Sequence, residues 1–349
     1  MSTITTSTAP SAKGTITLFT ITNASGASVT LSSLGAGIVS VNVPDAEGKL
    51  SDVALGYADP ADYIADGPCA GKVPGRYANR IARGHLNVDG HVYQLAINNG
   101  PNALHGGPEG FQNQIWEARE DGTDSVVFTY LAAAGEESYP GNLTATARYT
   151  WTDDCTLRLE LSATTDAPTV VNLTNHCYWN LDGHNAGSVL DHSMWLACSR
   201  YLPTDDTLIP TGEMAPVTGT PMDFTEPKVI GRDIKSDFPA LVYGKGYDNC
   251  WVVDGYTAGC VRHVATLRSD RSGRQLDVFT SQPAAQVYTG NWLAGSPANK
   301  CGRSYEDYDG VAIECQDMPD SPNHAWFPST QLYPGQKYDR VIEFRFSAK

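Results

Sequence analysis

Positive charge is scarce in this sequence: 24 lysines and arginines stand against 39 acidic residues, a formal charge of −15 over 349 residues. A surface of that sign argues against nucleic acid or an anionic membrane as a partner. Long apolar runs are missing too, none approaching the ~18 residues that suggest a membrane span. The opening MSTITTSTAPSAKG has neither a basic start nor an apolar centre, so it does not read as a secretory signal. It reads as a flexible tail over residues 1–14, and cytoplasm is the default location. There is no CxxC, and the eight cysteines are scattered, as in an intracellular chain with reduced thiols. GxxxxGK[ST], HExxH and histidine pairs at metal-ligand spacing are all absent, so nothing local supports a nucleotide or metal site. Gly35-Ala-Gly37 lacks the third glycine of a dinucleotide loop and is followed by a β pattern, which leaves a pyrophosphate no helix N-terminus.

What is present is alternation with period two. In Leu143–Trp151, Leu143, Ala145, Ala147, Tyr149 and Trp151 fall on one face, and Leu157–Leu161 is equally regular after Asp153-Asp154. Together they read as a hairpin. LNVDGHVYQL is another, with Asp89-Gly90 supplying the positive φ angles of a tight turn. Further strands are expected at 15–22, 28–31, 38–43, 126–130, 170–180, 249–253, 263–268, 276–280, 287–289, 311–315 and 340–346. Helical periodicity is almost absent, with a turn or two at most over 232–238. The 33 glycines and 21 prolines punctuate the whole chain instead of one linker. The pattern describes one large all-β domain over 15–349, a sandwich of antiparallel sheets with long loops such as 182–227. No fixed-period repeat suggests a propeller.

Three strands become more informative when sorted by face. In NLTNHCYWNL (172–181), Asn172, Thr174, His176, Tyr178 and Asn180 share one side; Leu173, Cys177, Trp179 and Leu181 share the other with Asn175. In VAIECQDM, Val311, Ile313 and Cys315 leave Glu314 and Gln316 opposite. In AAQVYTGNW, Gln286 and Tyr288 stand opposite Val287. A solvated strand face is usually polar, but it usually carries Lys, Glu and Thr; His176, Tyr178, Gln286 and Tyr288 are bulky and poor in charge. A concave sheet of such faces suits a polyhydroxylated ligand, whose hydroxyls need paired donors and acceptors and whose C–H faces pack on rings.

NLTNHCYWNLDG resembles the catalytic-histidine segment of the aldose 1-epimerase (galactose mutarotase) family, Asn-His-x-Tyr-aromatic-Asn-Leu. GRYANRIARG (75–84), NALHGG (102–107), GYDNCW (246–251), and QPAAQVYTGN (282–291) with AIECQ (312–316) match in the same order. The resemblance covers roughly Ile16 to Phe346. Trp179, Cys250 and Cys315 depart from the commoner residues without removing a titratable group. It implies a β-supersandwich that interconverts the α and β anomers of free hexoses such as glucose and galactose, with no cofactor and no metal. By the same resemblance Glu314 is the base and His176 the acid. Asn79, Arg80, His105, Tyr178, Asp248 and Gln286 would bind the sugar. Each has a plainer reading alone: Arg80 as a salt-bridge arginine, His105 as a loop cap, Asp248 as a turn acid. His85, His91, His184, His192, His263 and His324 have no motif context and read as surface or satisfied core. A glycoside hydrolase on the same sandwich would have to use Asp248 and Glu314 as its two carboxylates. A non-catalytic carbohydrate-binding protein would need neither His176 nor Glu314 for chemistry. The partner expected is a free aldose, and the assembly a monomer or weak homodimer.

Overall fold

Alternating segments become antiparallel sheet wherever the sequence keeps its period. The computed structural model describes residues 2–349. Leu143–Trp151 pairs with Thr156–Thr165, and these two strands sit inside a nine-stranded sheet that also contains Tyr338–Ala348. A six-stranded sheet runs in the order Tyr178–Trp179, Val311–Gln316, Ala284–Tyr288, Asp248–Val252, Arg200–Leu202, Ala215–Pro216. A five-stranded sheet uses the N-terminal strands through Leu50–Asp52. All their named strand pairs are antiparallel, and the one α-helix among the described residues is Pro239–Gly244. The expected Asp89-Gly90 hairpin forms between His85–Val88 and His91–Gln94, with φ of 51° and 79° at its two turn residues.

The main core lies where the sheets meet. Trp179, on the six-stranded sheet, packs its ring 5.1 Å from Phe344 and 5.4 Å from Phe346 of the nine-stranded sheet. The five-stranded sheet is tied in by Phe19 against Phe128 and by Trp151, whose indole N–H donates to Ala27 O at 3.1 Å. The buried indoles of Trp116 and Trp251 and the phenols of Tyr149 and Tyr247 likewise donate to backbone carbonyls, because an unmet donor in an apolar interior costs more than the bond itself contributes. All eight cysteines are unpaired thiols, six of them buried.

Four expectations are corrected. Residues 3–11 are no tail: Thr3–Ser11 pairs along its whole length with Gly14–Thr22. TITTSTAPS is rich in β-branched threonine but lacks an apolar face, so alternation could not reveal it. The 182–227 loop contains the short strands Ser193–Leu196, Arg200–Leu202 and Ala215–Pro216. The helical turn expected at 232–238 lies just beyond, at Pro239–Gly244, where Pro239 takes a first-turn position that needs no N–H. Finally, 170–180 is not a continuous strand. Only Val170 and Tyr178–Trp179 join ladders, and scattered backbone hydrogen bonds together with side chains hold the rest. Asn172 donates to Ala78 O and Asp317 O, Asn175 to Gly71 O at 2.6 Å, and Asn180 to Gly187 O and Asp309 O. The polar residues of this segment substitute for a missing strand neighbour.

Because Trp179 bridges the two large sheets, Trp179→Ala should cost about 3–5 kcal/mol, read as a lower midpoint in urea unfolding. A loss within 0.5 kcal/mol would mean the ring is not part of the shared core.

Candidate active site

Strand register decides which side chains meet. Gln286 pairs with Glu314, Tyr288 with Ala312, Ala312 with Tyr178, and Asp248 with Tyr288, so these residues share one face of the six-stranded sheet. Trp179, Val287, Ile313, Cys315 and Trp251 take the other face and enter the main core. The first face floors a cavity of about 240 Å³. Its walls are loops, among them the two that carry Asn79-Arg80 and His105.

Those two loops are joined to each other. Arg80–Ile81 pairs with Ala103–Leu104, His105 N–H donates to Asn79 O at 3.1 Å, and Asn79 N–H donates to His105 Nδ1 at 3.1 Å. His105 is thereby an acceptor at Nδ1, which leaves its proton on Nε2. Gly106 lets the loops approach so closely: a Cβ there would stand 2.0 Å from Gly75 O, at a φ of +79°.

His176 Nε2 lies 3.4 Å from Glu314 Oε1, and both side chains are almost wholly buried. His176 Nδ1 and Glu314 Oε2 have no protein partner. Burial, and secondarily the Lys72 charge, pushes the His176 imidazole down to about 4. Burial raises the Glu314 carboxyl well above its usual range; Asp248 adds to this and Arg80 opposes it. His105 is lowered by burial, then by His176 and Arg80. A dry site penalises every charged form, so the His176–Glu314 pair holds one proton in preference to none or two. The nearest donor atoms of His105, His176 and Glu314 lie within 4.8 Å of one another, the cluster here that could hold a cation.

Asp248 accepts from Gln286 Nε2 at 2.6 Å and faces Arg80 Nη2 at 3.5 Å, while Arg80 Nε donates to Asn99 Oδ1 at 3.0 Å. Tyr178 donates its hydroxyl proton to Pro68 O at 2.8 Å. Of the eight residues expected from the sequence, Asn79, Arg80, His105, His176, Tyr178, Asp248 and Glu314 line the cavity. Gln286 does not; it stands behind Asp248 and reaches the cavity only through that carboxylate. Sequence reasoning gave no role to Asn99 or Trp292, and placed Tyr288 on the ligand-suited face without naming it a binding residue. Tyr288 carried a signal, since it shares a face with Gln286. Trp292, 48% exposed and stacked near Tyr288 at 6.3 Å, lies one residue past the matched TGN and carried none.

The aldose 1-epimerase family matches residues 17–345 of the chain. The chain belongs to that family. Among aldose 1-epimerase relatives, human galactose mutarotase is 40% identical, over 97% of this chain and 96% of that protein. The aldose 1-epimerase of Escherichia coli is 36% identical over 95% of each. The GalM/aldose epimerase homologue from C. elegans superposes with a TM-score of 0.85 at 31% identity, covering 100% of this chain and 99% of that one. The all-β architecture read from the sequence is thus the fold of this family.

Because burial lowers the His176 pKa to about 4, the ring is largely neutral at pH values well above that in the empty site. A histidine-ring NMR titration should find it uncharged from pH 7 to pH 5. Protonation at the ordinary value near 6.5 would place the ring in water instead.

Proposed function

We infer that the chain is an aldose 1-epimerase, an isomerase that interconverts the α and β anomers of free hexoses. The observation that carries this is an imidazole and a carboxyl group 3.4 Å apart, both buried and both facing one small cavity. Anomer exchange needs just this: a base at the C1 hydroxyl and an acid at the ring oxygen, with roles that reverse. Glu314 takes the C1 hydroxyl proton as the C1–O5 bond breaks, and His176 delivers its proton to O5. The open aldehyde rotates about C1–C2. On closure the O5 proton returns to His176, O5 attacks the other carbonyl face, and Glu314 returns its proton to O1. Nothing is consumed and no electron pair leaves the sugar, so the step needs no cofactor.

In the empty pocket burial favours the pair's proton on Glu314. Sugar hydroxyls donating to the carboxylate, with the Arg80 charge nearby, stabilise its ionised form and shift the proton to His176. Asn79, Arg80, His105 and Asp248 would bind sugar hydroxyls, Tyr178 would pack beside the ring, and Gln286 would orient Asp248. Arg80 is the one Lys or Arg among the described lining residues, which favours a free sugar over a sugar phosphate. Asp248 has both oxygens engaged, by Gln286 and Arg80, which disfavours it as the second carboxylate of a glycosidase.

The same reading takes 15–349 as one catalytic domain, extended by the Thr3–Ser11 strand, since the main core draws on residues from Phe19 to Phe346. It places the protein in the cytoplasm as a monomer or weak homodimer. Among the described residues no helix is long and apolar enough to cross a membrane.

Polarimetry of freshly dissolved α-D-glucose and α-D-galactose tests the reaction. The wild type should speed the approach to equilibrium rotation, and His176→Asn and Glu314→Gln should each lose about 10²–10⁴-fold in kcat. An unaccelerated wild type would overturn the reaction, and a fully active variant the roles. The active pair carries one proton, so kcat/KM should be bell-shaped in pH. Its acid side falls as the second proton binds, its alkaline side as the only proton leaves.

A further inference from the structure

Lys72 is a lysine with almost no contact with water. Its side chain is 1% exposed and that of its partner Asp66 is 0% exposed. The ammonium donates to Asp66 Oδ1, to Tyr63 O at 2.5 Å and to Asn113 Oδ1 at 3.2 Å. Asp66 Oδ2 in turn accepts from Tyr57 OH at 3.1 Å and from Ala70 N–H at 2.9 Å. Every donor of the ammonium and both carboxylate oxygens are therefore met. Burying an ion pair is costly and often contributes no net stability against apolar residues of equal size. A pair this well satisfied calls for another explanation.

The backbone it folds supplies one. Residues 68–72 grip the irregular segment that carries His176 at four points. His176 N–H donates to Lys72 O at 2.9 Å, and Gly71 N–H donates to His176 O at 2.9 Å. Asn175 Nδ2 donates to Gly71 O at 2.6 Å, and Tyr178 OH donates to Pro68 O at 2.8 Å. No strand neighbour fixes the backbone of His176, because the ladder begins only at Tyr178. The clamp stands in for that neighbour, and the ion pair shapes the clamp.

We propose that the buried Lys72–Asp66 ion pair is a positioning device for the acid/base pair, setting where the His176 ring stands relative to Glu314. The claim rests on the epimerase reading for its kinetic consequence, but not for its structural one. The Lys72 charge also opposes protonation of His176. The other ionisable groups facing that ring are Glu314 at 3.4 Å, His105 with ring centroids 5.3 Å apart, Tyr178 at 5.0 Å and Tyr288 at 6.2 Å. None of these is bonded to Lys72 or Asp66 through its side chain.

The experiment compares wild type, Lys72→Met and the neutral pair Asp66→Asn/Lys72→Met, each checked for folding by near-UV circular dichroism. Misplacing a reacting group by about 1 Å can cost ~10²-fold. Folded variants should therefore lose roughly tenfold or more in kcat while KM stays within about threefold, since Asn79, Arg80, His105 and Asp248 lie outside the 68–72 clamp. The His176 ring should titrate at higher pH than in the wild type. Wild-type kcat with an unchanged titration would overturn the proposal, as would an activity loss that only follows the folded fraction. If Lys72→Met does not fold, Tyr57→Phe decides, because it removes one hydroxyl from Asp66 and nothing from the cavity. A lower kcat with a shifted ring titration supports the proposal; no change in either overturns it. The ring titration needs no turnover, so it still decides the matter if the wild type does not accelerate anomer exchange.

Discussion

The register between Ala284–Tyr288 and Val311–Gln316 is the constraint on which the site depends. It sets Gln286 opposite Glu314 and, through alternation, gives Ile313, Cys315 and Val287 to the core. A slip of one residue would exchange the faces, burying Glu314 among apolar side chains and presenting Ile313 to the cavity. The large apolar surface on the core side makes that slip costly. The same burial that stabilises the fold thus fixes which atoms face the cavity.

Electrostatics follows from that placement. A carboxyl and an imidazole in water would each titrate near its ordinary value. Buried 3.4 Å apart, they move in opposite directions and settle on a single shared proton. Arg80 and Asp248 are the counterweights: one cation and one anion, themselves paired, beside a couple whose charge must change place without leaving. The arrangement is poor at holding net charge and well suited to moving a proton.

How much of this was legible in the sequence depended on whether a residue's neighbours are local. Leu143–Trp151 and the Asp89-Gly90 turn announce themselves because their partners lie a few residues away. His176 and Glu314 were legible through motif and face, and alternation correctly separated His176 and Tyr178 from Cys177 and Trp179. It failed for Asn172, Thr174 and Asn180, which share a nominal face with His176 but do not line the cavity; both asparagines bond backbone. Nothing in NLTNHCYWNL shows that most of it lacks a strand partner, because that depends on where residues 68–78 come to lie. Gln286 was expected at the sugar; it does not line the cavity and stands one side chain back from it, a difference that only the packing of Asp248 decides. The strand at 3–11 was hidden for the opposite reason: its sequence is polar because it has little core to fill.

That strand also says something about how the molecule meets its neighbours. Thr3–Ser11 is the outermost member of the five-stranded sheet, so its free side is a row of backbone groups open to any passing chain. The row is built from threonine and serine, is largely exposed, and includes Pro10, which has no N–H to offer. The strand it covers, Gly14–Thr22, carries Ile16, Phe19 and Ile21. A stretch that looks featureless in the sequence therefore closes this side of the sheet with a polar strand instead of leaving Gly14–Thr22 as its edge.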